Sequence, residues 1–121
     1  MNLGRKITGG KYHARRKKRL HQKISQERKV ILGEEKRKSS RVRGGNIKIS
    51  LLNSNMANIV TKSGKVEKAE ITNVLETPQN RFFARENRLT KGAIIDTTLG
   101  KARITNRPSQ EGQINAILIE Q

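Results

Sequence analysis

Between Gly9 and Lys23 the chain reads GGKYHARRKKRLHQK, which sets seven cations (Lys11, Arg15, Arg16, Lys17, Lys18, Arg19 and Lys23) beside two histidines and no acid. Side chains of this type at this density neutralise a polyanion. Lysine and arginine laid against phosphates release condensed counterions, and arginine also forks onto a phosphate or stacks on a base. Arg5 and Lys6 precede this run, and a second basic segment, GEEKRKSSRVRG over residues 33–44, adds Lys36, Arg37, Lys38, Arg41 and Arg43, with Lys48 just beyond. Two diglycines, Gly9-Gly10 and Gly44-Gly45, stand among these cations. Glycine lets backbone approach a bulky partner and offers its N–H to a phosphate oxygen; an ordinary turn is the plainer reading, and the residues alone favour neither. Neither pair is a nucleotide-binding loop, which needs a different spacing and a following Lys-Ser/Thr. A third cluster sets Arg81, Arg85 and Arg88 around Phe82 and Phe83. Aromatics interleaved with arginine stack on unpaired bases. In a chain with three aromatics, however, packing of one phenylalanine against the core is the stronger expectation, with the arginines facing outward.

Other chemistries are poorly served. His13 and His21 lie inside the cationic run without the carboxylate or thiolate company that a metal site wants. Glu34 and Glu35 are adjacent, so regular structure cannot aim both at one pocket; they read as a solvated pair balancing Lys36 and Arg37 rather than as an acid–base couple. No nucleophile stands beside a base. The expectation is therefore no enzyme, no catalytic residue, no metal and no cofactor. The absence of cysteine rules out disulfides, thiolate catalysis and zinc ribbons, and fits a reducing, cytoplasmic setting. The longest apolar run is four residues, Ala116 to Ile119, so no segment reads as a membrane span or signal-peptide core.

The elements that must carry these cations divide the chain in two. Of 121 residues, the first 48 hold 17 Lys and Arg against three acids, a net of +14; the remainder holds 10 against seven, a net of +3. Residues 1–44 read as a basic arm, extended or partly helical when bound, and residues 45–121 as a nearly balanced body. Tyr12, Leu20, Ile24 and Val30 are too sparse for an apolar stripe, so the arm is expected to order on its partner, with binding offsetting the entropy. From Gly45 an alternating pattern predicts a strand with Ile47, Ile49 and Leu51 facing inward. Strands follow at 57–61 and 66–76, joined by a Lys62-Ser63-Gly64 hairpin turn, the longer one with a bend or bulge. Thr77-Pro78 reads as a helix start for 79–86. Strands at 93–98, 101–106 and 113–120 complete the pattern, with a loop over 108–112. The fold class is mainly β: a small antiparallel barrel-like body of about six strands with one short helix. The remaining expected core is Ile59, Ala69, Ile71, Val74, Ile94, Ala102, Ile104, Ile114, Ala116 and Leu118.

Arg5-Lys6-Ile7-Thr8-Gly9-Gly10 with Ala14 to Arg19, followed by Gly33 to Lys38 and Arg41 to Asn46, resemble in order the opening and the central block of the archaeal and eukaryotic small-subunit ribosomal protein family S-eight-e. Asn73 to Glu76, Asn80-Arg81, Thr90 to Ala93, and Thr105 to Pro108 with Gly112 resemble its later blocks. The ordered set covers essentially the whole chain, and the compact length looks archaeal. Family arms often continue their basic run with a Glu and a Gly, whereas Leu20-His21-Gln22-Lys23 stands here, so the path after Arg19 is not carried over. The resemblance implies a non-catalytic constituent of the small ribosomal subunit in the cytoplasm, one copy per ribosome. Its partners would be ribosomal RNA and neighbouring small-subunit proteins, with no membrane and no small-molecule substrate. By position, the implied contacts are Arg5, Lys6, Lys11, Arg15 to Arg19, Lys36 to Lys38, Arg41, Arg43 and Lys48. The alternatives are a related ribosome-assembly factor or a general nucleic-acid-compacting protein.

Overall fold

A computed structural model describes residues 4–119 of the chain. Among these residues are eight strands: β1 (Ile31–Leu32), β2 (Lys36–Arg41), β3 (Ile47–Ser54), β4 (Met56–Val60), β5 (Val66–Glu76), β6 (Ile94–Thr97), β7 (Gly100–Ile104) and β8 (Asn115–Leu118). Two short helices, α1 (Arg81–Arg85) and α2 (Pro108–Glu111), interrupt them. Strands β4-β5-β6-β7-β8 close a barrel, and β1-β3-β2 form a separate three-stranded sheet. The mainly β, barrel-based class is as the sequence predicts. The barrel itself takes five strands, and its closing β4–β8 pair is parallel, with Ile59 opposite Ala116.

A five-stranded barrel has a narrow interior, so its inward positions must mix small with branched residues. Ala57, Ala69, Ala102 and Ala116 supply the small ones, and Ile59, Ile71, Val74, Ile95 and Ile104 fill the space between them, all buried. β5 is long enough to pair with β4 through 66–70 and with β6 through 71–76, and its register shifts between Ile71 and Asn73 and again between Val74 and Glu76. Those irregularities give the expected bend, which a strand needs to turn a tight barrel corner. The 61–64 hairpin turn also forms, with Gly64 N donating to Thr61 O at 2.9 Å.

Several expectations are corrected. Ile47 and Ile49 are 68% and 46% exposed, because β3 belongs to the three-stranded sheet outside the barrel and, on that face, only Leu51 reaches the buried core. Ile95, not Ile94, turns inward, opposite Val74 and Ala102. The helix near Phe82 starts later than expected: Asn80 is its cap, accepting from Phe82 N at 3.0 Å, while buried Thr77 donates to Asn80 O. Residues 108–111 form a helical turn rather than a loop. Val30 and Leu89 are buried together, joined by a Leu89 N to Val30 O bond of 2.9 Å. Both β1 and β2 come from the stretch read as arm and pair with β3 of the body, β1 parallel and β2 antiparallel.

Candidate nucleic-acid interface

Residues 4–29 are all exposed, so none of the cations there is used in the core. The first of them are gathered by a local turn. Arg5 pairs with Lys11 in an antiparallel bridge, Gly9 N donates to Lys6 O and Lys6 N to Gly10 O, both at 2.9 Å, and the Arg5 guanidinium reaches Gly9 O at 3.3 Å. Gly9 has φ +82°, a conformation L side chains avoid, so this diglycine serves a turn. The turn brings Arg5, Lys6 and Lys11 to one place, with Lys6 Nζ 5.7 Å from the Tyr12 ring centre. Arg15, Arg16, Lys17, Lys18 and Arg19 then follow along exposed, irregular chain. A 3-10 turn over Leu20–Gln22 ends the run, held by Arg19 N donating to the Gln22 side-chain oxygen at 3.1 Å, and Lys23 follows it.

The second group is arranged by strand geometry. On β2 and β3, residues directly opposite share a face. Lys38 faces Ser50 and Ser40 faces Lys48, so Lys38 and Lys48 are diagonal neighbours on one face with no acid between them. Arg41, opposite Ile47, lies on the other face with Arg37, which is paired with Glu35. Lys36 precedes a register shift at the edge of this sheet. The Gly44-Gly45 pair turns β2 into β3 with φ +81° and +78°, closed by Val42 N to Asn46 O at 2.8 Å, and carries Arg43 at its tip.

The third group splits. Phe82 is 50% exposed on α1, with the guanidiniums of Arg81 and Arg85 5.2 and 5.7 Å from its ring centre; Phe83 is half-buried under Arg88, and it is Ala84, not a phenylalanine as expected, that packs against the core from this helix. Arg88 does not face outward as expected. It is 6% exposed, stacks on Phe83 at 4.2 Å and bonds Glu86 at 2.6 Å, with Glu27 at 4.0 Å. A guanidinium that far from water needs paired charge, and these two carboxylates supply it. Arg88 therefore ties the root of the basic stretch to α1.

By contrast, no cation from Arg5 to Lys23 has a carboxylate partner among the described residues. Four further cations outside the expected set, Arg28, Lys29, Lys91 and Arg107, meet at one cleft, and of these Lys29 lies 4.0 Å from Glu86. They come from stretches distant in sequence, and no local spacing unites them. No group of three or more metal-ligating side chains occurs among the described residues, and no helix there is long and apolar enough to cross a membrane.

A barrel built from short hairpins, extended by a small sheet and carrying unpaired cations on exposed chain, is the architecture of a polyanion-binding protein. The whole-chain comparison names the class: the model of the family Ribosomal protein S8e matches residues 2–119. The small ribosomal subunit protein eS8 of Methanocorpusculum labreanum is 47% identical over 117 residues, covering 96% of this chain and 94% of that protein. Those of Nanoarchaeum equitans (46% identical, 96% and 92% covered) and Sulfurisphaera tokodaii (47% identical, 97% and 93% covered) are similar over the same extent. The chain belongs to the ribosomal protein S8e family.

Proposed function

We infer that the chain is a structural constituent of the small ribosomal subunit that binds and stabilises folded ribosomal RNA, one copy per subunit, in the cytoplasm. Family membership supports this reading, and one observation carries its mechanism: the exposed cations from Arg5 to Lys23 stand without carboxylate partners among the described residues. The barrel rests on the RNA, and the basic stretch runs between helices whose phosphates repel one another until cations separate them. Lys36, Lys38 and Lys48 extend the contact along the small sheet, with Arg41 and Arg43 at its end and Arg81 and Arg85 on α1. Contacts of this type position a protein and recognise RNA shape more than they read sequence. The role is scaffolding: fixing the geometry of RNA helices, with no reaction.

The test is binding of the full chain to small-subunit ribosomal RNA across salt. Neutralising ~6 phosphates predicts a loss of about a thousandfold in affinity between roughly 50 and 200 mM salt. A binding constant that hardly moves would contradict the mechanism. The chain should also stay on mature small subunits through a moderate salt wash; its appearance on precursor particles alone would favour an assembly factor.

A further inference from the structure

A cleft of about 400 Å³ lies between residues 25–30, the 88–91 turn and the start of α2. We propose that it holds one unpaired RNA nucleotide, with Arg28, Lys91 and Arg107 on the flanking phosphates and the base against an apolar floor. The proposal rests on the RNA-binding reading above and adds a discrete pocket to it.

The charge of the cleft is one-sided for a physical reason. Glu27 is the one acid at its wall, exposed and 4.0 Å from Arg88, against five lining cations. Arg28, Lys91 and Arg107 have no carboxylate partner among the described residues; Arg28 donates one N–H to Ser50 Oγ, which leaves the others of its guanidinium for a phosphate. Val30, Leu89 and Pro108 close its base, all buried, so the narrow strip of surface they leave open is apolar. Ser109 and Gln110 stand at the rim, and among the described residues their side chains take no hydrogen bond within the protein, so a hydroxyl and an amide are free for the edge of a base.

This combination selects among ligands. A free phosphate would gain nothing from an apolar floor, and a metal cation would be repelled. A protein segment needs a far larger surface than a cleft of small-molecule size. A nucleotide presents what the walls accept: anionic oxygens on one side and a flat, largely apolar ring with a polar edge on the other. Two of the walls, residues 25–30 and the 88–91 turn, are already joined by the Leu89 N to Val30 O bond at 2.9 Å and by Arg88 lying 4.0 Å from Glu27, so less ordering is needed on binding.

The experiment is 2′-hydroxyl acylation mapping of full-length small-subunit ribosomal RNA, free and bound to the full chain. It compares wild type with a Lys91→Ala, Arg107→Ala double variant and with Ser109→Trp, which fills the cleft. Lys91 and Arg107 are exposed, so their loss does not threaten the fold. Wild type should protect at least one otherwise reactive unpaired nucleotide that both variants leave reactive, while protections due to the basic stretch persist. The double variant should also bind about tenfold more weakly and flatten the salt slope by about 2. Protection maps identical for all three proteins would overturn the cleft and leave the general RNA reading intact. Absence of any RNA binding by wild type would overturn both.

Discussion

Gly112 offers a measurable test of how the small sheet and the barrel are joined. It ends α2 with φ +74°, its N–H donating to Pro108 O at 3.1 Å, and it is buried. A Cβ placed there would lie 2.8 Å from Ile49 Cγ2 and 3.4 Å from Ile49 Cβ. Gly112→Ala therefore incurs two separable penalties. The left-handed backbone costs an L residue about 1–2 kcal/mol. The clash costs roughly another 1–3 kcal/mol, as for other overpacked sites. Gly64 isolates the first penalty, because its φ is +79° yet nothing lies within 4 Å of where its Cβ would stand.

Thermal unfolding followed by circular dichroism reads the difference. For a domain of this size about 1 kcal/mol moves Tm by roughly 4 °C. Gly64→Ala should lose about 4–8 °C and Gly112→Ala about 8–20 °C on the same scale. Ile49→Ala removes the Cγ2 methyl and, since Ile49 is 46% exposed, costs little alone. Combined with Gly112→Ala it should return about 1–2 kcal/mol, a coupling typical of residues in direct contact. Equal losses at Gly64 and Gly112, with no coupling to Ile49, would refute the close approach as a constraint.

Three further outcomes follow from the same geometry. Removal of residues 1–29 should keep the β signal in circular dichroism while RNA affinity collapses; removal through Leu32 should also lower stability, by about 2 kcal/mol for buried Val30 alone, and equal stability of the two truncations would contradict its place in the core. Arg88→Ala should cost about 2–3 kcal/mol in urea unfolding, through the charged hydrogen bond to Glu86 and the stack on Phe83, and a change below about 0.5 kcal/mol would refute its anchoring role. Arg81→Ala and Arg85→Ala, both exposed, should leave stability within about 0.5 kcal/mol and flatten the salt slope of RNA binding by about 1 each, so an unchanged slope would remove α1 from the interface.

Much of the barrel is legible in the sequence because its strands are bounded by turn chemistry and its inward residues alternate. What escapes is whatever depends on which surface covers a face. Ile47 and Ile49 alternate as well as any core pair, but alternation shows that two residues share a face, not that something lies on it. In Ala93-Ile94-Ile95 consecutive apolar residues leave the register open, and pairing of Ile95 with Val74 and Ala102 decides it. Leu89 is an isolated apolar residue in polar surroundings and Val30 opens a run of only three, Val30-Ile31-Leu32, yet the two segments meet across 59 positions of sequence. Arg88 escapes for a related reason: Phe83 and Glu86 are near it in sequence, but nothing local shows that the α1 turn folds them onto its guanidinium or that Glu27 comes within 4.0 Å from 61 positions away.

The charge division and the fold division do not coincide, and that mismatch has a mechanical consequence. The net charge changes near residue 48, but chain before it already enters the structure at Val30, through β1 and through β2. If the basic stretch joined the barrel by a free linker, each phosphate contact would order only itself, and the barrel could take any orientation on the RNA. Here the stretch is held at its root by the Val30–Leu89 bond, by Arg88 between Glu27 and Glu86, and by the hydrogen bond from Arg28 to Ser50. Contacts made by Lys23 and its predecessors are then referred to a fixed frame within a few residues. A polyanion that captures the stretch thereby orients the barrel, which is what a scaffolding protein must do with charges that individually carry no directional information.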